Sequence, residues 1–285
     1  MPPPPPDPKK LALKLGTDGP HKVLPTPRKI QVLFNGAYII KTTKASFVWE
    51  HPYYPQLYFP RTELEREEAA CEGLNVAEGE EYADDNGKVI AKQLILSINN
   101  KSINNVIAWE EDLPTKAAEL KGLVKIDFAS VDQWFEEDTP IYVHPKDPFK
   151  RVNILQSTRH IRIKVGGQVV ADTRSSMHLY ETGLPVRYYL PLTSIDPGVL
   201  RKSKTRTLCP YKGEAEYYSV EVNGEVWEDV VWYYTTPLLE SARIEGLCCF
   251  YNEKVEIELD GERLEQPDTH FGRHKPSDNV KPSAV

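Results

Sequence analysis

Cysteine is scarce in this 285-residue sequence, and its four copies, at 71, 209, 248 and 249, form no C-x-x-C pair. That spacing offers neither a zinc ligand set nor a disulfide framework, and we expect a reduced, cytoplasmic protein without a metal or other cofactor. Long apolar runs are missing too, so no segment approaches the roughly 20 residues that a membrane-spanning helix needs. The start, MPPPPPDPKK, is followed by no apolar core and does not read as a secretory signal. Basic charge is outnumbered: 35 Lys and Arg stand against 42 Asp and Glu, a net charge of −7. A general nucleic-acid binder needs a basic surface, so nucleic acid is not an expected partner. There is also no Gly-rich phosphate loop before a helix, and no Gly-Ser followed by a paired Asp-x-Asp.

What the sequence does have is a duplication. Residues 50–60 lie ungapped over residues 181–191, with Glu, Tyr and Pro recurring at a constant offset (181 against 50, 189 against 58, 191 against 60). The same offset places Gly36 on Gly167 and Thr42 on Thr173. Further on, Asn100, Trp109 and Pro114 match Asn223, Trp232 and Pro237 at a shorter offset, and Gly122, Ile126 and Val131 match Gly246, Phe250 and Val255. A repeat of this length means two copies of one domain.

Each copy reads as short strands. Ile30–Val32–Phe34 and Ile161–Ile163–Val165 alternate apolar with polar and run into Asn35-Gly36 and Gly166-Gly167. Tyr217 to Val222 leads into Asn223-Gly224, a pair suited to the positive φ angles of a two-residue hairpin turn. One short helix per copy is predicted. Thr236 would cap it, Pro237 would open it and Gly246 would end it in the second copy, with Pro114 and Gly122 bracketing Lys116–Leu120 in the first. The expected organisation is a Pro-rich disordered tail (1–28), a degenerate first domain (29–150) with an acidic insertion (63–90), a second domain (155–272) and a polar tail (273–285). The insertion packs ten acidic residues between Glu63 and Asp85 and reads as solvated loop.

Three segments of the second copy resemble a known family: Tyr188-Tyr189-Leu190-Pro191, then Thr207-Leu208-Cys209-Pro210-Tyr211-Lys212-Gly213, then Val230-Val231-Trp232-Tyr233-Tyr234, with Gly246 to Phe250 after them. The pattern is similar to the family named domain of unknown function 427, which also carries a nucleotidyltransferase-like label. The resemblance is strong over about 160–262 and weak over 29–135. It implies a mostly β chain of two tandem complex antiparallel β domains, like the fold of methionine sulfoxide reductase B, and no established reaction. Nucleotidyl transfer, which the label suggests, is the minor reading, because the metal-binding carboxylates and triphosphate loop it requires are not evident.

The Cys-Pro-Tyr-Lys-Gly stretch occurs only in the second copy, which makes that copy the expected site of function. Beside it lie Arg201, Lys202, Lys204 and Arg206, basic residues in an acidic chain. The leading expectation is a small-molecule site for an anionic metabolite, held by Arg187, Arg206 and Lys212 through charge-assisted hydrogen bonds. Tyr189, Tyr217, Trp232 and Tyr234 would form its walls. His178, Glu181, Cys209, Lys212 and Glu214 are the candidates for proton transfer or nucleophilic attack. Glu50 and Tyr58 recur in the first copy, which points Glu181 and Tyr189 toward a role in the fold. The alternative is a non-catalytic scaffold that meets a protein partner through its Pro-rich N-terminus or acidic insertion.

Overall fold

The computed structural model describes residues 7–65 and 72–269. The proline run at 2–6, Cys71 and the polar tail at 273–285 lie outside them. The chain divides into two compact units, one ending at Asp147 and one beginning at Pro148. In the first, the strands are β1 (Lys22–Pro25), β2 (Ile30–Phe34), β3 (Ala37–Thr42), β4 (Ser46–Trp49), β5 (Gln56–Pro60), β6 (Asn75–Ala83), β7 (Val89–Ile98), β8 (Lys101–Trp109), β9 (Leu123–Ile126), β10 (Gln133–Glu136) and β11 (Thr139–Ile141). The second repeats them as β12 (Val152–Ser157), β13 (Ile161–Val165), β14 (Gln168–Thr173), β15 (Ser176–Glu181), β16 (Arg187–Leu190), β17 (Leu200–Cys209), β18 (Gly213–Val222), β19 (Glu225–Tyr233), β20 (Cys248–Phe250), β21 (Glu256–Leu259) and β22 (Glu262–Arg263).

Both units combine a seven-stranded with a four-stranded antiparallel sheet. The long sheets run β1-β4-β5-β9-β8-β7-β6 and β12-β15-β16-β20-β19-β18-β17; the short ones run β11-β10-β2-β3 and β14-β13-β21-β22. Every long-sheet strand thus has its counterpart at the same place. Alternation along the strands sends one set of side chains inward between the two sheets. Ile30, Val32, Phe47, Leu57, Leu94, Val106 and Trp134 meet there in the first unit. Ile161, Ile163, Leu190, Val220, Val231 and Phe250 meet there in the second. The turns are those the sequence prescribes: Asn35-Gly36, Asn99-Asn100, Gly166-Gly167 and Asn223-Gly224 all have positive φ.

Four expectations need correction. Of the segment 1–28, expected to be a disordered tail, residues 7–28 are ordered: Asp7 caps a helix, α1 (Pro8–Asp18), by accepting from the Lys9 and Lys10 amides. Ala12 and Leu15 of α1 are fully buried, and β1 pairs with β4. Within the acidic insertion, Asn75–Ala83 form strand β6, the edge of the first long sheet, not solvated loop; residues 66–71 lie outside the described residues. The predicted helices are single 3-10 segments, Thr115–Leu120 and Leu239–Ile244. Gly122 and Gly246 end them with φ of 64° and 67°, but Leu238, not Thr236, is the cap residue and no side chain caps it.

The fourth correction concerns the repeat itself. Across the first long sheet one row reads Gln93, Ile107, Lys125, Tyr58, Ser46. Across the second it reads Tyr217, Trp232, Cys249, Tyr189, Met177. Trp232 therefore occupies the place of Ile107, and Trp109 that of Tyr234. The bulge in β18–β19 lies where Asp229 takes a φ of 52° and adds a residue to β19. The turns match Asn99-Asn100 with Asn223-Gly224, one place from an Asn100-on-Asn223 match, and the extra residue adds the second place that defeats a Trp-on-Trp match.

Candidate functional site

The outer face of each long sheet, away from the short sheet, distinguishes the two units. In the first unit α1 covers it: Ala12 and Leu15 pack with Val48, Tyr58, Ile90, Ile107, Trp109 and Leu120. In the second unit the corresponding strands present Leu179, Tyr189, Ala215, Tyr217, Trp232, Tyr234, Cys249 and Tyr251. Among the described residues no α-helix packs on this face. The turn 209–213 and the segment Leu239–Ile244 lie against it, Ser241 donating to the Tyr211 carbonyl, and all eight residues of the face are buried.

This face gathers most of the sequence-predicted site. Strand alternation puts Glu181, Arg187 and Tyr189 on the same side as Trp232, and the β17–β18 turn swings Cys209 and Lys212 over them. The Lys212 ammonium lies 2.5 Å from a Glu181 carboxylate oxygen and 4.0 Å from the Cys209 sulfur. Burial works against the Lys212 charge; attraction to Cys209 and Glu181 outweighs it and leaves the pKa above the ordinary lysine value. Lys150 reaches within 3.9 Å of Glu181 as well. The Arg187 guanidinium makes two 2.7 Å bonds to Glu253 and sits 5.5 Å over the Trp232 ring. Burial pushes the Glu253 carboxyl up, but hydrogen bonds from Arg187 and Thr269 hold it below the usual range.

The walls form a hydrogen-bonded aromatic layer. Trp232 Nε1 donates to the Tyr189 hydroxyl at 3.0 Å, and the Tyr217 and Thr207 hydroxyls are 2.8 Å apart. Tyr251 tilts against Trp232 at 4.5 Å. Burial raises the pKa of Tyr189, Tyr217, Tyr234 and Tyr251, so all four stay protonated donors. It also raises the Cys249 thiol, which makes that residue packing rather than chemistry.

Three predicted residues do not join the cluster. His178 alternates to the opposite face, edge-on to Tyr188 at 4.8 Å; a Cys209–His178 dyad is therefore ruled out by the pleat. It is buried, its Nε2 has no hydrogen-bond partner among the described residues, and burial lowers its pKa. Arg206 and Glu214 pair with each other at 2.6 Å on exposed strand surface. Conversely, sequence reasoning missed Lys150, Thr207, Tyr251 and Glu253. Tyr251 shares its strand face with Cys249 through a two-residue step; Lys150 and Glu253 come from connecting segments that carry no periodic signal.

The sequence model of the family described as Domain of unknown function (DUF427) matches residues 22–137 and again 153–261. The chain belongs to that family. Its two matched segments correspond to the two units, so this DUF427 protein is a tandem pair. No curated protein matches the sequence. Among the described residues, no group of three or more His, Cys, Asp or Glu is placed to hold a metal, and no helix is long and apolar enough to cross a membrane.

Proposed function

We propose that the second DUF427 domain binds a small anionic molecule at its outer aromatic face, with the first domain a copy of the same scaffold that carries α1 over the corresponding strands. The observation that carries this reading is the contrast between the two faces. Where the first domain has Gln93, Ile107 and Trp109, the second has Tyr217, Trp232 and Tyr234, all three buried, beside three cations. Lys150, Lys212 and Arg187 meet two carboxylates, Glu181 and Glu253. That leaves one positive charge in excess among these groups, which favours a monoanion such as a carboxylate or phosphate ester. Tyrosine hydroxyls and the Trp232 ring supply the orienting contacts usual in small-molecule sites. Both carboxylates are already ion-paired, which argues against their serving as the Mg²⁺ ligands that nucleotidyl transfer uses.

Lys150 is the cation to remove, because its loss takes away the surplus charge without breaking a buried pair. Thermal melting of the full chain is measured against inorganic phosphate, benzoate and a nucleoside monophosphate, each with wild type and Lys150→Met. A probe at a hundred times its dissociation constant stabilises the domain it binds by about 2.7 kcal/mol. The expected result is a stabilising anion whose effect is lost or reduced at least tenfold in affinity in Lys150→Met. Absence of stabilisation by any anion, or an effect indifferent to Lys150, would overturn the reading.

A further inference from the structure

On the opposite side of the same sheet, near the ends of β18 and β19, lies a cleft of about 290 Å³ lined by Leu192, Tyr218, Tyr233, Thr235, Glu245 and Cys248. Tyr218 and Tyr233 stack at 5.0 Å to form one wall. Glu216 fixes that wall, accepting from the Tyr233 hydroxyl at 2.9 Å, the Thr235 hydroxyl at 2.7 Å and the Lys202 ammonium at 2.6 Å. The Cys248 thiol lies buried among the lining residues, its pKa pushed up to about 12 by burial, and is inert. Glu245 is exposed, with no side-chain partner among the described residues.

The first domain carries different residues at the corresponding positions. Matched through the strand registers, Tyr218 and Tyr233 become Leu94 and Ala108, Glu245 becomes Lys121, and Leu192 becomes Arg61. Arg61 reaches 2.8 Å to Glu78, the residue in the place of Lys202, and so bridges the equivalent position. In the second domain the bridge is gone, a tyrosine pair is in its place and the charge of the partnerless group is reversed.

We infer that this cleft is a second binding site, independent of the outer face, that takes a small aromatic amine. The ring lies against Tyr218 and Tyr233 with Leu192 opposite, and the ammonium meets Glu245. Lys202 and Glu216 neutralise each other, so Glu245 leaves the cleft one negative charge in excess. Its preference is therefore for a cation, opposite to that of the outer face.

Tyramine, 4-ethylphenol and 3-(4-hydroxyphenyl)propionate share a ring and differ in charge, and their affinities for the full chain are measured by calorimetry. Tyramine should bind at least tenfold more tightly than either of the others. Glu245→Gln should bring it to within about twofold of 4-ethylphenol. The triple variant Leu192→Arg, Lys202→Glu, Glu216→Lys installs the first domain's bridging set and should abolish binding. If exchange protection of the β19 amides shows that this variant does not fold, Leu192→Trp, which fills the cleft from an exposed position, replaces it. Equal affinity for the three compounds, tightest binding of the acid, no tyramine binding, or tyramine binding that survives cleft closure would each overturn the inference.

Discussion

The two domains share sheet order and face a common problem: a buried carboxylate at the end of the second strand of the long sheet or just beyond it. In the first domain Glu50 is satisfied by Lys125, 2.9 Å away on β9, and by the Tyr58 hydroxyl at 2.9 Å. In the second, Cys249 stands where Lys125 would be, and the cation arrives from the β17–β18 turn as Lys212. Tyr189, freed from the carboxylate, accepts from Trp232 instead. The edge strands differ in the same manner. Lys92 sits between Glu78 and Glu81 of β6, whereas Glu216 pairs with Lys202 and faces Arg206 across β17–β18. The lesson is that the fold demands charge balance and leaves open which element supplies each sign. A carboxylate present in both copies is architecture; the groups around it that changed are where function is to be sought.

That comparison is sharpened first by removing the cations. Lys125→Met leaves Glu50 buried without its counter-ion and should cost the first domain about 4 kcal/mol, read from hydrogen-exchange protection of the β8 amides. Leu15→Ala should cost about 3 kcal/mol in the same readout, because it opens a cavity between α1 and the sheet. Lys212→Met should cost less, about 2 kcal/mol at the β19 amides, since Lys150 already lies 3.9 Å from Glu181 and takes over part of the pairing. Equal losses for Lys125→Met and Lys212→Met would break the claim that the second domain holds a surplus cation.

The smallest change is at His178, whose place in the first domain is taken by Phe47. His178→Phe removes a buried, unpartnered ring nitrogen and should stabilise the second domain by about 1 kcal/mol. Burial lowers the His178 pKa from 6.5, so the folded domain refuses a proton that the unfolded chain accepts. Its stability is then full above pH 6.5 and falls as pH drops through that value. The variant should flatten this fall in the second domain. The first should keep its own acid sensitivity, because His51, also lowered chiefly by burial, is untouched. A second-domain profile unchanged by the substitution would show that other groups control it.

Much of this was legible in the sequence. The duplication, the β class and the Asn-Gly turns follow from local patterns whose physics is local. So did the convergence of Glu181, Arg187, Tyr189, Lys212, Tyr217, Trp232 and Tyr234, because strand alternation and the Cys-Pro-Tyr-Lys-Gly turn fix their side. What was hidden depends on tertiary context. The proline content obscured α1, whose Asp7 cap and buried Ala12 and Leu15 have meaning only against the first sheet. The dense carboxylates of β6 disguised a strand that exists because β7 offers it a partner and Lys92 a counter-charge. The extra residue at Asp229 hid the true partner of Trp232, which is Ile107 and not Trp109, two places along the same outer face. Nothing local told that Arg187 would meet Glu253, 66 residues away.

The most direct test of the central claim compares the outer faces in one titration. The indole N–H resonances of Trp232 and Trp109 are followed by NMR in the full chain as benzoate, inorganic phosphate or a nucleoside monophosphate is added. The account predicts that one of these anions shifts the Trp232 indole saturably while Trp109, beneath α1, does not move. Equal movement of both indoles, or none for Trp232 with any of the three anions, would contradict it.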